Sequence, residues 1–254
     1  MLSPDWPWTR LILALALVAL IALLVVRAVS RDRGEYPRFT RFERTRNRQR
    51  MMRRWLISSA ITFGGASILL LLLAGRYVPL LLDAVREWPA GRWFSGVVEA
   101  SDGRAAWIAI AVAVLLVVGT IVAVWLARNS DDVPTIGDIG ALLPRNRAEL
   151  RYGVALSINA GIMEELLFRL AVPATLFGAT GNAVVAVVGS VVLFGALHLY
   201  QGLPGILGSG IIGALLMVLY LATGTIVVPI VAHALIDLRS LVLIPVFVYR
   251  VQRK

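Results

Sequence analysis

Long apolar blocks, separated by charged or glycine-bearing breaks, constrain this chain more than any other feature. A spanning helix needs about 20 such residues to cross roughly 30 Å of hydrocarbon, because every backbone polar group must be paired within the helix there. Blocks at 11–26, 55–74, 107–126, 152–177, 182–200, 203–222 and 225–248 are of that order. They predict an all-α fold, a multi-pass transmembrane helical bundle of about seven membrane helices. The hydrophobic fraction is 59%, against roughly 45–50% in soluble domains, which argues against a water-soluble globule.

The chain contains no cysteine, so disulfide frameworks, thiolate zinc sites and cysteine nucleophiles are excluded together. Its net charge of +10 is concentrated in 27–54, where eleven arginines face only Asp32, Glu35 and Glu43. A basic run of this kind suits nucleic acid in a soluble protein. Between two apolar blocks it is expected instead to be a cytoplasmic loop that sets topology and meets the anionic headgroups of the lipid bilayer, with no nucleic-acid partner. Trp6 and Trp8 suit an interfacial belt. The first block lacks the flanks of a signal peptide and is expected to be an uncleaved anchor. Counting crossings places the N-terminus outside and the basic C-terminal tail in the cytoplasm.

Organisation follows from composition. Residues 1–150 form an N-terminal transmembrane region with three helices, the basic loop 27–54, an external loop at 76–104 and a polar Pro- and Gly-bearing linker at 127–150. Residues 151–250 form a second unit of four apolar blocks joined by short glycine-bearing turns.

Within that second unit the only acidic, basic or histidine residues between Tyr152 and Tyr249 are Glu164, Glu165, Arg169, His198, His233, Asp237 and Arg239. Each costs about 2.5–3.5 kcal/mol to insert at a helix centre, so each needs a partner or a purpose. The i,i+4 spacing places Glu165 beside Arg169, whereas Glu164 is turned about 100° away on a helix of 3.6 residues per turn. Glu164 is therefore the freer carboxylate. His233 and Asp237 also share a face at i,i+4, and His198 follows Phe194 at the same spacing. Glu164 lies about 18 Å along its block and His233 about 12 Å along one entered from the other side. His198, near the end of its block, asks for offset helices or a site open toward the cytoplasm.

A carboxylate, two imidazoles and a further acid supply what peptide-bond hydrolysis requires: a base for water, and groups that position it or stabilise the oxyanion. The same four residues, Glu164, His198, His233 and Asp237, also have the donor chemistry of a zinc site. Spacing does not decide between these alternatives, and there is no His-Glu-x-x-His. Intramembrane Glu and His can instead relay protons in a transporter, but no repeated halves are evident.

Three ordered motifs carry a family resemblance: Glu164-Glu165 with Arg169, Phe194 with His198, and His233 with Asp237. In these, and in the residues around Glu164 and from Leu219 to Thr225, the chain resembles the CPBP family of intramembrane proteases, also called the Abi or CAAX protease family. The resemblance covers 151–248 and none of the first 150 residues. It implies an intramembrane endopeptidase acting on membrane-associated proteins or peptides, with Glu164 as general base and His198 holding the water. His233 and Asp237 would complete the oxyanion side, and Glu165, Arg169 and Phe194 would be supporting residues. Eukaryotic relatives carry Asn at the last position, and an ionised Asp237 cannot donate to an oxyanion. The substrate is prenylated or not; high arginine with a single lysine suggests a high-GC bacterial source, where peptide maturation or bacteriocin self-immunity is the expected role. The competing expectation is a non-catalytic membrane scaffold or immunity protein that binds a partner.

Overall fold

The computed structural model describes residues 1–100, 119, 122, 125, 126 and 140–253. Most of the block at 107–126 and of the linker at 127–150 therefore lies outside the described residues. The elements in chain order are α1 (Thr9–Thr40), α2 (Thr45–Ala74), α3 (Tyr77–Arg86), α4 (Pro89–Ala100), α5 (Arg147–Glu165), α6 (Val172–Thr180), α7 (Ala183–Ala196), α8 (Leu199–Thr223) and α9 (Val227–Phe247). No strand occurs among the described residues. This is an all-α membrane bundle.

Helices α1, α2, α8 and α9 are each long and apolar enough to cross a bilayer. Their outer faces expose Leu15, Val18, Leu69, Leu72, Leu215 and Val218, apolar surface that hydrocarbon solvates without penalty and water does not. The block at 152–177 is helical throughout, running from α5 through Leu166–Ala171 into α6, and it carries Glu164, Glu165 and Arg169. The block at 182–200 forms only the short helix α7, which ends at Ala196.

Segment 27–54, expected to be a loop, is a helical hairpin. Both α1 and α2 extend well past their apolar stretches and turn around 41–44. Eight of its eleven arginines remain exposed. Arg48 is fully buried instead, with its Nε 3.0 Å from Glu149 Oε2 and its Nη2 donating to the carbonyls of Ala141 at 2.9 Å and Leu143 at 3.1 Å. Glu149 lies in the first turn of α5, where Asn146 caps the helix by accepting from Glu149 N at 3.1 Å. A carboxylate there also complements the helix dipole. The basic hairpin is thus anchored to the start of α5. The 76–104 stretch, expected to be a loop, contains the amphipathic helices α3 and α4, with Leu81 and Val85 of α3 packed on Ala186 of α7.

Among the described residues four π-helical turns widen these helices, at Arg31–Glu35, Ala60–Gly64, Leu166–Ala171 and Arg239–Leu243. Three are followed within two residues by a proline, Pro37, Pro173 and Pro245. Proline lacks the N–H that closes a helical turn and crowds the carbonyl four residues back, so a locally wider turn accommodates it. The remaining turn has no proline and runs into Gly64-Gly65. Sequence punctuation therefore sets where the backbone opens.

Helix α9 lies along α5, and Gly161 sets their separation. A Cβ at Gly161 would stand 2.9 Å from the carbonyl oxygen of Ile230 and 3.0 Å from the Ala234 side chain. Backbone must shift to admit it. Gly161→Ala is expected to lower stability by about 1–3 kcal/mol, the usual cost of overpacking, and to lower the thermal midpoint of the detergent-solubilised protein. An unchanged midpoint would show that the helices separate freely at this point.

Candidate active site

Glu165 closes α5 and is fully buried. Its Oε2 lies 2.9 Å from Arg169 Nε, the i,i+4 partner expected from sequence. Its Oε1 lies 2.8 Å from His233 Nδ1, a contact between residues 68 apart in the chain. A carboxylate can only accept, so Nδ1 carries the hydrogen and the opposite nitrogen, Nε2, is turned toward Asp237, whose Oδ2 is 4.0 Å away. Glu165 and Arg169 thus form a buried ion pair that also orients an imidazole.

His198 is held differently. Helix α7 stops at Ala196 and the chain turns, so His198 sits in the turn before α8, not on a helix as its apolar block suggested. The ring therefore does not follow the axis of α7. Its Nδ1 lies 2.9 Å from the Phe194 carbonyl, which accepts, leaving Nε2 of the neutral ring as a free acceptor. Phe194 ties the group together. Its ring centroid is 4.9 Å from that of His198, 6.0 Å from His233 and 5.3 Å from Phe168, while the Arg169 guanidinium lies 5.0 Å from it. Gly213 makes room for that ring, since a Cβ there would meet Phe194 Cδ1 at 2.7 Å.

A cavity of 210 Å³ joins these side chains, lined among others by Glu164, His198, His233 and Asp237. Glu164 makes no hydrogen bond or ion pair with another described residue, in contrast to Glu165. The two adjacent acids are separated by position: one is locked into the protein, the other faces the cavity. Three of the four π turns supply further lining residues, Arg31, Phe63 and Arg239 with its two successors. π-Helical turns recur at functional sites in general.

The four residues expected from sequence as reactive groups all line the cavity, as does Phe194, whereas Glu165 and Arg169 do not. Sequence reasoning missed Arg27, Arg31 and Tyr200. The arginines belonged to a run read as one basic surface, and no local spacing connects them to residues more than a hundred positions away. Among the described residues no three His, Asp or Glu side chains gather closely enough to hold a metal ion.

Residues 146–239 match the family model described as type II CAAX prenyl endopeptidase Rce1-like. This segment is a CPBP-family segment. The match begins at the cap of α5 and ends after Asp237, so it contains Glu164, Glu165, both histidines and Asp237. Helices α1 to α4 fall outside it, although Arg27, Arg31, Trp55 and Phe63 line the same cavity. No curated protein and no solved structure matches the chain. The CPBP segment supports a membrane-embedded hydrolase of the CAAX-protease type.

Proposed function

We propose that the protein is an intramembrane endopeptidase that hydrolyses a peptide bond in a membrane-associated protein or peptide. The observation that carries this is the division of labour between Glu164 and Glu165 inside the family-matched segment. Glu164, which has no hydrogen bond or ion pair with a described residue, takes a proton from water. His198 Nε2 accepts the water's second hydrogen and holds its oxygen toward the scissile carbonyl. The water oxygen bonds to the carbonyl carbon, and the resulting oxyanion is met by His233, whose ring orientation Glu165 fixes and whose Nε2, when protonated, donates to it. The C–N bond then breaks, and the proton on Glu164 passes to the leaving nitrogen. Asp237 keeps the His233 proton in place.

With the arginine hairpin on the cytoplasmic side, as the positive-inside rule favours, the N-terminus is outside and substrates reach the cavity from the cytoplasmic leaflet. Peptide maturation or self-immunity against a bacteriocin are the roles this chemistry fits.

The test uses full-length protein in lipid nanodiscs and a fluorescent N-acylated peptide. Cleavage at one bond is expected, with one atom of ¹⁸O from labelled water in the new carboxylate. A peptide that stays intact while still binding would instead favour a non-catalytic scaffold. Because the described residues gather no three metal ligands, cleavage is expected to survive a chelator wash. Activity that disappears on washing and returns with zinc would reassign Glu164, His198, His233 and Asp237 as metal ligands.

A further inference from the structure

Arg31 stands out among the lining residues because of how it is held. It begins the π turn of α1, one helical turn beyond Arg27. Arg27 is occupied: it donates to the hydroxyls of Ser58 and Thr62 and lies over the Phe63 ring at 5.0 Å. The carboxylate one turn after Arg31, Glu35, is occupied as well, accepting from Trp55 Nε1 at 2.7 Å and pairing with Arg54 at 3.3 Å. Arg31 itself forms no ion pair with a described residue, and its Nε is buried with no hydrogen-bond partner. Its guanidinium lies 4.0 Å from the Tyr200 ring centroid and 5.1 Å from the Trp55 ring.

Aromatic contact engages the faces of a guanidinium and leaves its in-plane N–H groups for an acceptor. A buried donor left unpaired is costly, and an incoming acceptor removes that cost. Tyr200 in turn is fixed by Gln201 Nε2, which donates to its hydroxyl at 2.9 Å, and its ring stacks on His198 with centroids 6.2 Å apart. The guanidinium is therefore positioned beside the group assigned to hold water, in the cavity that Glu164 lines. Planar guanidinium forks match carboxylates, which they bind through two parallel hydrogen bonds.

We propose that Arg31, stacked against Tyr200, is a binding group for a carboxylate of the peptide substrate. The N-terminal helices, which lie outside the family-matched segment, thereby supply part of the substrate site. That the carboxylate belongs to a peptide rests on the peptidase assignment above. Its source is either the peptide's C-terminus or an acidic side chain, since both offer the same acceptor.

Binding separates this proposal from catalysis. Full-length Glu164→Gln protein in nanodiscs is titrated with three fluorescent N-acylated peptides of one apolar sequence: a C-terminal acid, a C-terminal amide, and an amide ending in Asp. The acid is expected to bind about tenfold more tightly than the plain amide, as one charge-assisted bidentate contact warrants. The Asp peptide shows whether a side-chain carboxylate serves equally. Arg31→Gln is expected to remove the preference while leaving the plain amide's affinity unchanged, and Arg31→Lys to restore part of it. A structural role would weaken all three peptides together. Equal binding of acid and amide peptides, or equal weakening of all three by Arg31→Gln, overturns the proposal. A carboxylate preference in protein that cleaves nothing would leave this site standing and remove the peptidase assignment instead.

Discussion

Replacing Glu164 with glutamine should abolish cleavage while leaving the fold intact. The carboxamide fills the same space but cannot take a proton from water, and general-base catalysis contributes about 10²–10⁴ in rate. A fall in kcat of about a thousandfold is therefore expected, with substrate affinity little changed. Stability should move by less than about 1 kcal/mol, because Glu164 has no hydrogen bond or ion pair with a described residue to lose. The measurement is a paired one, initial rates in nanodiscs and thermal midpoints of the same preparations. Retained cleavage would remove Glu164 from the base role. If the neighbouring Glu165→Gln instead lost activity at unchanged stability, the two carboxylates would have to exchange roles.

That separation of the two acids was legible in the sequence because it depends only on helical angle. Glu165 and Arg169 share a face, Glu164 does not, and the continuation of α5 through the turn Leu166–Ala171 keeps both results. The membrane helices were legible for a similar reason, since block length and apolarity are local properties. What could not be read were the contacts that tertiary packing makes. Glu165 meets His233 only because Gly161 lets α9 lie close against α5, and no spacing within either helix encodes that partner. His198 left its helix because α7 ends at Ala196, whereas hydropathy continues unbroken to Tyr200.

The basic segment shows the limit of charge counting. A run of arginines between apolar blocks correctly marks a membrane boundary, yet it does not tell which arginines face solvent. Helical continuation of α1 and α2 turns Arg27 and Arg31 toward the cavity and buries Arg48 against Glu149. The family-matched segment therefore does not enclose its site alone. Proline placement, by contrast, was visible from the start: Pro37, Pro173 and Pro245 each follow a π turn, two of which supply cavity-lining residues. Their consequence needed the structure, because a proline predicts a disturbed helix without saying whether it kinks, stops or widens.

Removing the Glu165 carboxylate should produce a large loss of stability. Glu165 and Arg169 are both fully buried, with 2.9 Å between Oε2 and Nε, and His233 Nδ1 lies 2.8 Å from the other oxygen. Glu165→Leu leaves a guanidinium without a counter-charge and an imidazole N–H without an acceptor. Breaking one partner of a buried pair costs about 3–5 kcal/mol, mainly because the remaining charge is stranded. The double variant Glu165→Leu with Arg169→Met removes both charges, and paired removal is often neutral or stabilising when packing is preserved. Stability of the double variant should therefore return most of the way toward wild type, a non-additivity that a cycle of the two singles and the double measures directly. Activity should not return with it. His233 would still lack the acceptor that fixes Nδ1–H and turns Nε2 toward Asp237, so cleavage should stay at least about a hundredfold below wild type, as for loss of one oxyanion donor. A double variant as active as wild type would show that the ion pair serves packing alone. One as unstable as the Glu165 single would show that Arg169 is held by Phe194 and the surrounding helices rather than by its carboxylate.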